Sequence, residues 1–197
     1  FEAHGRLVFL FGDSWTTDRR DWDADSVAWT RLAPLPNSGV PELEWAKRAG
    51  GRFLPLAPMG VELGGMNVPI EGFAVGDRTY VFFDRGWSTK KGRHARSLLA
   101  HTSGLEFSKL ELDHDVESEN FINVSVVQNG ADLWIFGSGA YRKSAVYLAR
   151  VAVRDVANRS AWRYAPGFGP GEACAQPLVP TDCVGELSVR RDPHSDT

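Results

Sequence analysis

The sequence predicts an all-β protein of the propeller type. Three observations carry this. Apolar and polar residues alternate with period two along most of the chain. Aromatic hairpins recur around Phe11, Phe83 and Phe136, 72 and 53 residues apart. Only one short stretch, 42–48 ("ELEWAKR"), reads as a turn or two of helix. Recurrence of a strand unit at roughly 40 to 70 residues is the sequence sign of radial repetition.

The first unit is "FEAHGRLVFLFGD", two runs separated by His4-Gly5. The second, "EGFAVGDRTYVFFDRG", turns at Gly76-Asp77. The third, "NVSVVQNGADLWIFGSG", turns at Asn129-Gly130, a pair that tolerates positive φ and so favours a tight hairpin. Further strand-like runs follow: "RSLLAHTS" after the second hairpin, "AVYLARVAV" and "AWRYAPG" after the third. A hairpin plus two strands makes one four-stranded blade. "VGELSVRRDPHSDT" resembles the first strand and turn of a fourth repeat. The reading is therefore one propeller domain over residues 1–197, about three and a half blades. An open ring would expose strand edges, so either a longer native protein or segments missing from this sequence are expected.

Composition narrows the function. The 197 residues carry a formal net charge of −3, which gives no electrostatic reason to expect nucleic acid or an anionic membrane as partner. No apolar run approaches the roughly 20 residues needed to span a bilayer. Seven Trp and eleven Phe supply core, and exposed rings of this kind also stack on sugars. Cys174 and Cys183 stand nine positions apart in the Pro-rich "CAQPLVPTDC". A disulfide between them, implying export, is the expected reading, with two free thiols the alternative. No Cys or His pair accompanies them as a zinc site requires.

Gly12-Asp13-Ser14 after an apolar strand matches the opening of an esterase family in which the Ser is the nucleophile. That chemistry needs helices, an oxyanion segment and a late Asp-x-x-His. The chain offers no helical periodicity and only "DPHS" around His194. Ser88 and Lys91 match Ser-x-x-Lys, but in a polar loop. "DWDAD" fails as an EF-hand because Ser26 and Leu32 occupy the positions of the required Gly and Glu. The carboxylate-rich "ELDHDVESEN" reads as a solvated loop. The five His are scattered, and no phosphate-binding glycine loop is present.

"FLFGDSW", "GFAVGDRTYVFF", "NFINVSVV", "LWIFGSGAYRKSAVYLARV" and "VGELSVRRD", in this order, resemble the DUF4185 family of bacterial secreted proteins, some of which are endo-D-arabinanases. The resemblance implies a five-bladed β-propeller that cleaves a furanose polysaccharide such as D-arabinan. It implies a secreted, periplasmic or cell-envelope location. Two departures stand out: members usually carry an acidic residue just before the first strand, and a further blade after "GELSV".

Glycoside hydrolysis uses two carboxyl groups, one to protonate the leaving oxygen and one to attack or to activate water. Strand ends of a propeller converge on a funnel, so Asp13, Glu71, Asp84, Glu119 and Glu186 are the carboxylates to consider. Glu186, between small and apolar residues, suits a general acid. Asp13 is the candidate base or substrate ligand, against the alternative of a turn residue. Glu71 opens the second repeat at a place analogous to Glu186. Asp84 ends the second aromatic strand as Asp13 ends the first, and is a substrate-binding candidate. Asn120 and Asn123 can hydrogen-bond sugar hydroxyls, and Arg142, Trp15, Trp87 and Tyr141 are candidate sugar contacts. No cofactor is called for, and a single Ca²⁺ near the axis is the one metal left open. The partner expected is a polysaccharide substrate. The alternative class is a non-catalytic propeller that binds a glycan or a protein.

Overall fold

The computed structural model describes residues 1–15, 24–31, 39, 41–64, 66–87 and 96–192. Ser88, Lys91 and His194 lie outside the described residues. Among the described residues are fourteen strands in three antiparallel sheets, with helix limited to single 3-10 turns. The first sheet orders β1 (Glu2–Ala3), β2 (Arg6–Ser14), β3 (Ala24–Arg31) and β4 (Glu44–Trp45). The second orders β5 (Pro69–Val75), β6 (Arg78–Arg85), β7 (Arg96–Ser103) and β8 (Glu111–Glu117). The third runs β9 (Asn123–Asn129), β10 (Asp132–Ser138), β11 (Ser144–Ala152), β12 (Arg163–Tyr164) and β13 (Gly169–Pro170), with β14 (Val179–Val184) also paired to β11.

The hairpins follow from turn chemistry. His4 and Gly5 both take positive φ, 49° and 71°, as a type I′ turn demands. Gly76 alone is positive in the second turn, at 60°. In the third, Asn129 pairs with Asp132, so the turn residues are Gly130 and Ala131, one place later than the sequence suggests. Only the first of them needs positive φ, and Gly130 supplies it at 62°.

The second sheet is buried on both faces, and this explains the unbroken apolar run "TYVFF". Val81 and Phe83 of β6, with Leu98 and Ala100 of β7, pack against Val8 and Val27 of the first sheet. Tyr80, Phe82 and Leu99 face the other way, onto Val124, Leu133, Ile135 and Trp162. Each such side chain contributes about 1.5–3 kcal/mol on burial.

Four expectations are corrected. The carboxylate-rich stretch is not a solvated loop: Glu111–Glu117 form β8, paired to β7, with His114 buried. Residues 42–48 are not helical: Ala28 pairs with Trp45 and Trp29 with Glu44. Trp29 Nε1 and Arg6 Nη1 donate to the Glu44 carboxylate, and the Trp45 ring packs, tilted, against both Phe11 and Phe53, so tertiary contacts override local helix preference. "VGELSV" does not begin a fourth sheet. The short β12 covers only Ala149 and Arg150 of β11, and β14 fills the uncovered edge at Ser144 and Val146, leaving residues 185–192 outside any strand. Cys174 and Cys183 form no disulfide and are both exposed. Cys174 Sγ bonds to the Pro170 carbonyl at 3.2 Å, beside Gly169, whose sheet neighbours lead to Ala149 on β11. Cys183 precedes Val184, which pairs with Ser144.

Candidate active site

The aromatic strands β2, β6 and β10 all end on the rim of one cleft of about 760 Å³. Gly12 and Asp13 of β2 line it, with Asp84 of β6 and Trp87 beyond it. Val68, Pro69 and Ile70 enter from the start of β5, Ile122 and Asn123 from the start of β9, and Gly139 and Tyr141 from the turn after β10. Met66, Glu186, Leu187 and Ser188 complete the wall.

Local structure aims Asp13. Phe11 pairs with Ser26 and Ser14 with Ala24, so β2 carries one extra residue at this point. The bulge places Asp13 in the left-handed region, φ 46°, and exposes it at the rim. Bulges commonly re-aim a side chain beside a site, and Asp tolerates this conformation better than most residues. Gly12 is required by crowding: a Cβ there would lie 2.6 Å from Val68 Cγ1. Ser14 does not line the cleft, and its hydroxyl lies 2.7 Å from that of Ser26.

Asp84 is buried, and its Oδ1 accepts the Val68 amide at 2.7 Å while its own amide donates to the Val68 carbonyl. It is more than a turn residue: it staples β6 to the segment entering β5. Asn123 is buried too, its Nδ2 donating to the Gly139 carbonyl at 3.2 Å. Gly139 admits no side chain, since a Cβ would collide with the Glu119 carbonyl. Glu186 is exposed, not desolvated as its small and apolar sequence neighbours suggest, because residues 185–192 lie outside any strand; the residue before it is gripped by Ser138 Oγ, which donates to the Gly185 carbonyl at 2.8 Å.

Six residues singled out from sequence therefore meet: Asp13, Asp84, Asn123, Glu186, Trp87 and Tyr141. Others do not line the cleft. Glu71 points between sheets, its Oε2 accepting from Ser125 Oγ at 2.9 Å, and so is not placed to touch a ligand there. Strand alternation is the cause, for Glu71 shares the face of Phe73 and Val75 that packs on the third sheet. Asn120 gives its amide to Glu172. Arg142, at φ 55°, lays its guanidinium 4.8 Å from the centre of the Tyr141 ring. Trp15 is 54% exposed on the surface next to Ser14. Sequence reasoning missed the apolar wall of Val68, Ile70 and Ile122, which carries no chemical signal, and the buried Ser125 and Ser138 that hold the Glu186 segment.

Two polar clusters lie outside the cleft lining. Glu172 accepts from the amides of Glu119 and Asn120, from Ser118 Oγ and from Arg159 Nη2, clamping the approach to β9. Asp113 bonds His101 Nδ1 at 2.9 Å; burial raises its carboxyl above the ordinary range, opposed by the charge of His101. Among the described residues no three His, Cys, Asp or Glu side chains converge as metal ligands would. No helix among them is long and apolar enough to cross a membrane.

A search among curated proteins finds no match. Among solved structures the chain is similar to a crystal structure described as "a putative hydrolase from Bacteroides ovatus ATCC 8483", at 13% identity and a TM-score of 0.51. The match covers 85% of this chain and 50% of that one, so the chain spans half the length of that structure. The likeness is one of fold. The sequence model of the family described as "Domain of unknown function (DUF4185)" matches residues 1–197.

Proposed function

Since the chain belongs to the DUF4185 family, we propose that it forms part of a secreted five-bladed β-propeller glycoside hydrolase that cuts a furanose polysaccharide, D-arabinan being the expected polymer. One observation carries the reading: the cleft gathers the carboxyl groups of Asp13, Asp84 and Glu186, far apart in sequence, beside Trp87 and Tyr141. Two four-stranded sheets and a six-stranded one, packed face to face, support the propeller, because four-stranded blades stack in this way around a channel.

In this reading Glu186 protonates the leaving glycosidic oxygen. Asp13, lifted into the cleft by its bulge, activates water or attacks the anomeric carbon. Asp84 holds the cleft wall through Val68, and Asn123 accepts from a sugar hydroxyl through the amide oxygen that its bond to Gly139 leaves available. The rings of Trp87 and Tyr141 give sugars an apolar face to stack on. A polymer substrate goes with export from the cell.

The test is incubation of the protein with D-arabinan and measurement of new reducing ends. Asp13→Asn and Glu186→Gln are each expected to lose roughly 10²–10⁴-fold in rate. Rates equal to the wild type in both variants would remove these residues from the mechanism. A second reading, glycan binding without cleavage, draws on one observation: Glu71, the third carboxylate expected at the chemistry, is engaged by Ser125 instead. Saturable arabinan binding with no reducing ends released would favour it.

A further inference from the structure

We propose that Glu71 and Ser125 are positioning residues for Glu186, acting through a hydrogen-bonded relay that fixes the 185–190 segment in the cleft. The proposal rests on the reading of Glu186 as the general acid. Residues 185–190 belong to no strand, so no backbone ladder holds them. Two buried hydroxyls do so instead. Ser138 Oγ donates to the Gly185 carbonyl at 2.8 Å, and the Val189 amide donates to Ser125 Oγ at 3.0 Å. These anchors bracket Glu186, Leu187 and Ser188, the three residues of the segment that line the cleft.

The Ser125 anchor has a direction, and Glu71 sets it. A serine hydroxyl has one hydrogen. Ser125 gives it to Glu71 Oε2 at 2.9 Å, which turns a lone pair toward the Val189 amide. Glu71 is itself held, its Oε1 accepting the Gly72 amide at 3.1 Å and its Oε2 lying 3.5 Å from Arg190 Nη1. Ser125 is fully buried, so water does not replace Glu71 at the hydroxyl. The carboxylate that looked like a member of the catalytic pair thus works one step behind it.

The test separates this from a general effect on folding. Ser125→Ala and Glu71→Leu are expected to lower kcat on arabinan roughly ten- to a hundredfold, with KM nearly unchanged. On an aryl furanoside whose phenolate departs without a proton, both keep the wild-type kcat/KM, which reports glycosidic bond cleavage whether Asp13 attacks or activates water. Glu71→Gln retains an oxygen for the Ser125 hydroxyl and restores most of the polymer rate. Hydrogen exchange gives a readout independent of activity: the Val189 amide exchanges about tenfold faster in Ser125→Ala while β9 and β10 keep their protection. Unchanged exchange at Val189, or equal losses on both substrates, would overturn the proposal. A wild-type protein that cuts neither substrate would end the hydrolase reading, and exchange at Val189 would then decide the anchoring by itself.

Discussion

Replacement of His114 by Phe should make the protein less sensitive to acid. His114 sits on β8, its ring 5.9 Å from Trp162, edge to face, and 6.5 Å from Phe82. Nδ1 donates to the Ala157 carbonyl at 3.3 Å, and Nε2 is buried without a partner among the described residues. Burial pushes the pKa down to about 4, with the nearby Arg159 charge acting in the same direction and Asp115 and the Ala157 bond opposing it. In the unfolded chain the ring titrates near 6.5. The unfolded state therefore binds the proton first. The stability linked to this group is fully present above pH 6.5 and is lost as pH falls from there toward 4. Between pH 7.5 and 5 the linkage relation gives a loss of about 2 kcal/mol, or roughly 4–8 °C in Tm for a chain of this size. Urea unfolding followed by tryptophan fluorescence at the two pH values measures it, and the His114→Phe variant, with the ring contacts retained, cancels the carboxylates common to both proteins. Wild type and variant losing equal stability on acidification would refute the argument, as would a His114 titration near 6.5 by NMR.

Two further outcomes follow from local geometry. Gly12→Ala should destabilise by about 1–3 kcal/mol in urea unfolding, since its Cβ meets Val68 Cγ1 at 2.6 Å; unchanged stability would show that the bulge has room to spare. A thiol-reactive dye should label both Cys174 and Cys183 in the native protein without prior reduction, and reductant should leave Tm unchanged; failure to label would restore the disulfide.

The hairpins were legible because turn residues and alternation are local signals. His4-Gly5 and Gly76-Asp77 state their turns in two letters, and "RSLLAHTS" coincides with β7. "ELEWAKR" misled because Trp45 answers to Phe11 and Phe53, partners 34 residues before and 8 after it. "VGELSV" misled because the vacancy that captures β14 exists only where β12 happens to be short. For the cleft, the ends of the aromatic strands led to Asp13 and Asp84, which both line it. Glu71 escaped because its position resembles that of Glu186, while its side of the strand depends on which sheet stands opposite. Nothing in a lone Ser125 or Ser138 advertises an anchor to a segment more than 45 residues away.

The double burial of the middle sheet makes next-door letters answer to different masters. Phe82 belongs to the contact with the third sheet and Phe83 to the contact with the first. Selection can therefore retune one seam while leaving the other alone, a codon away.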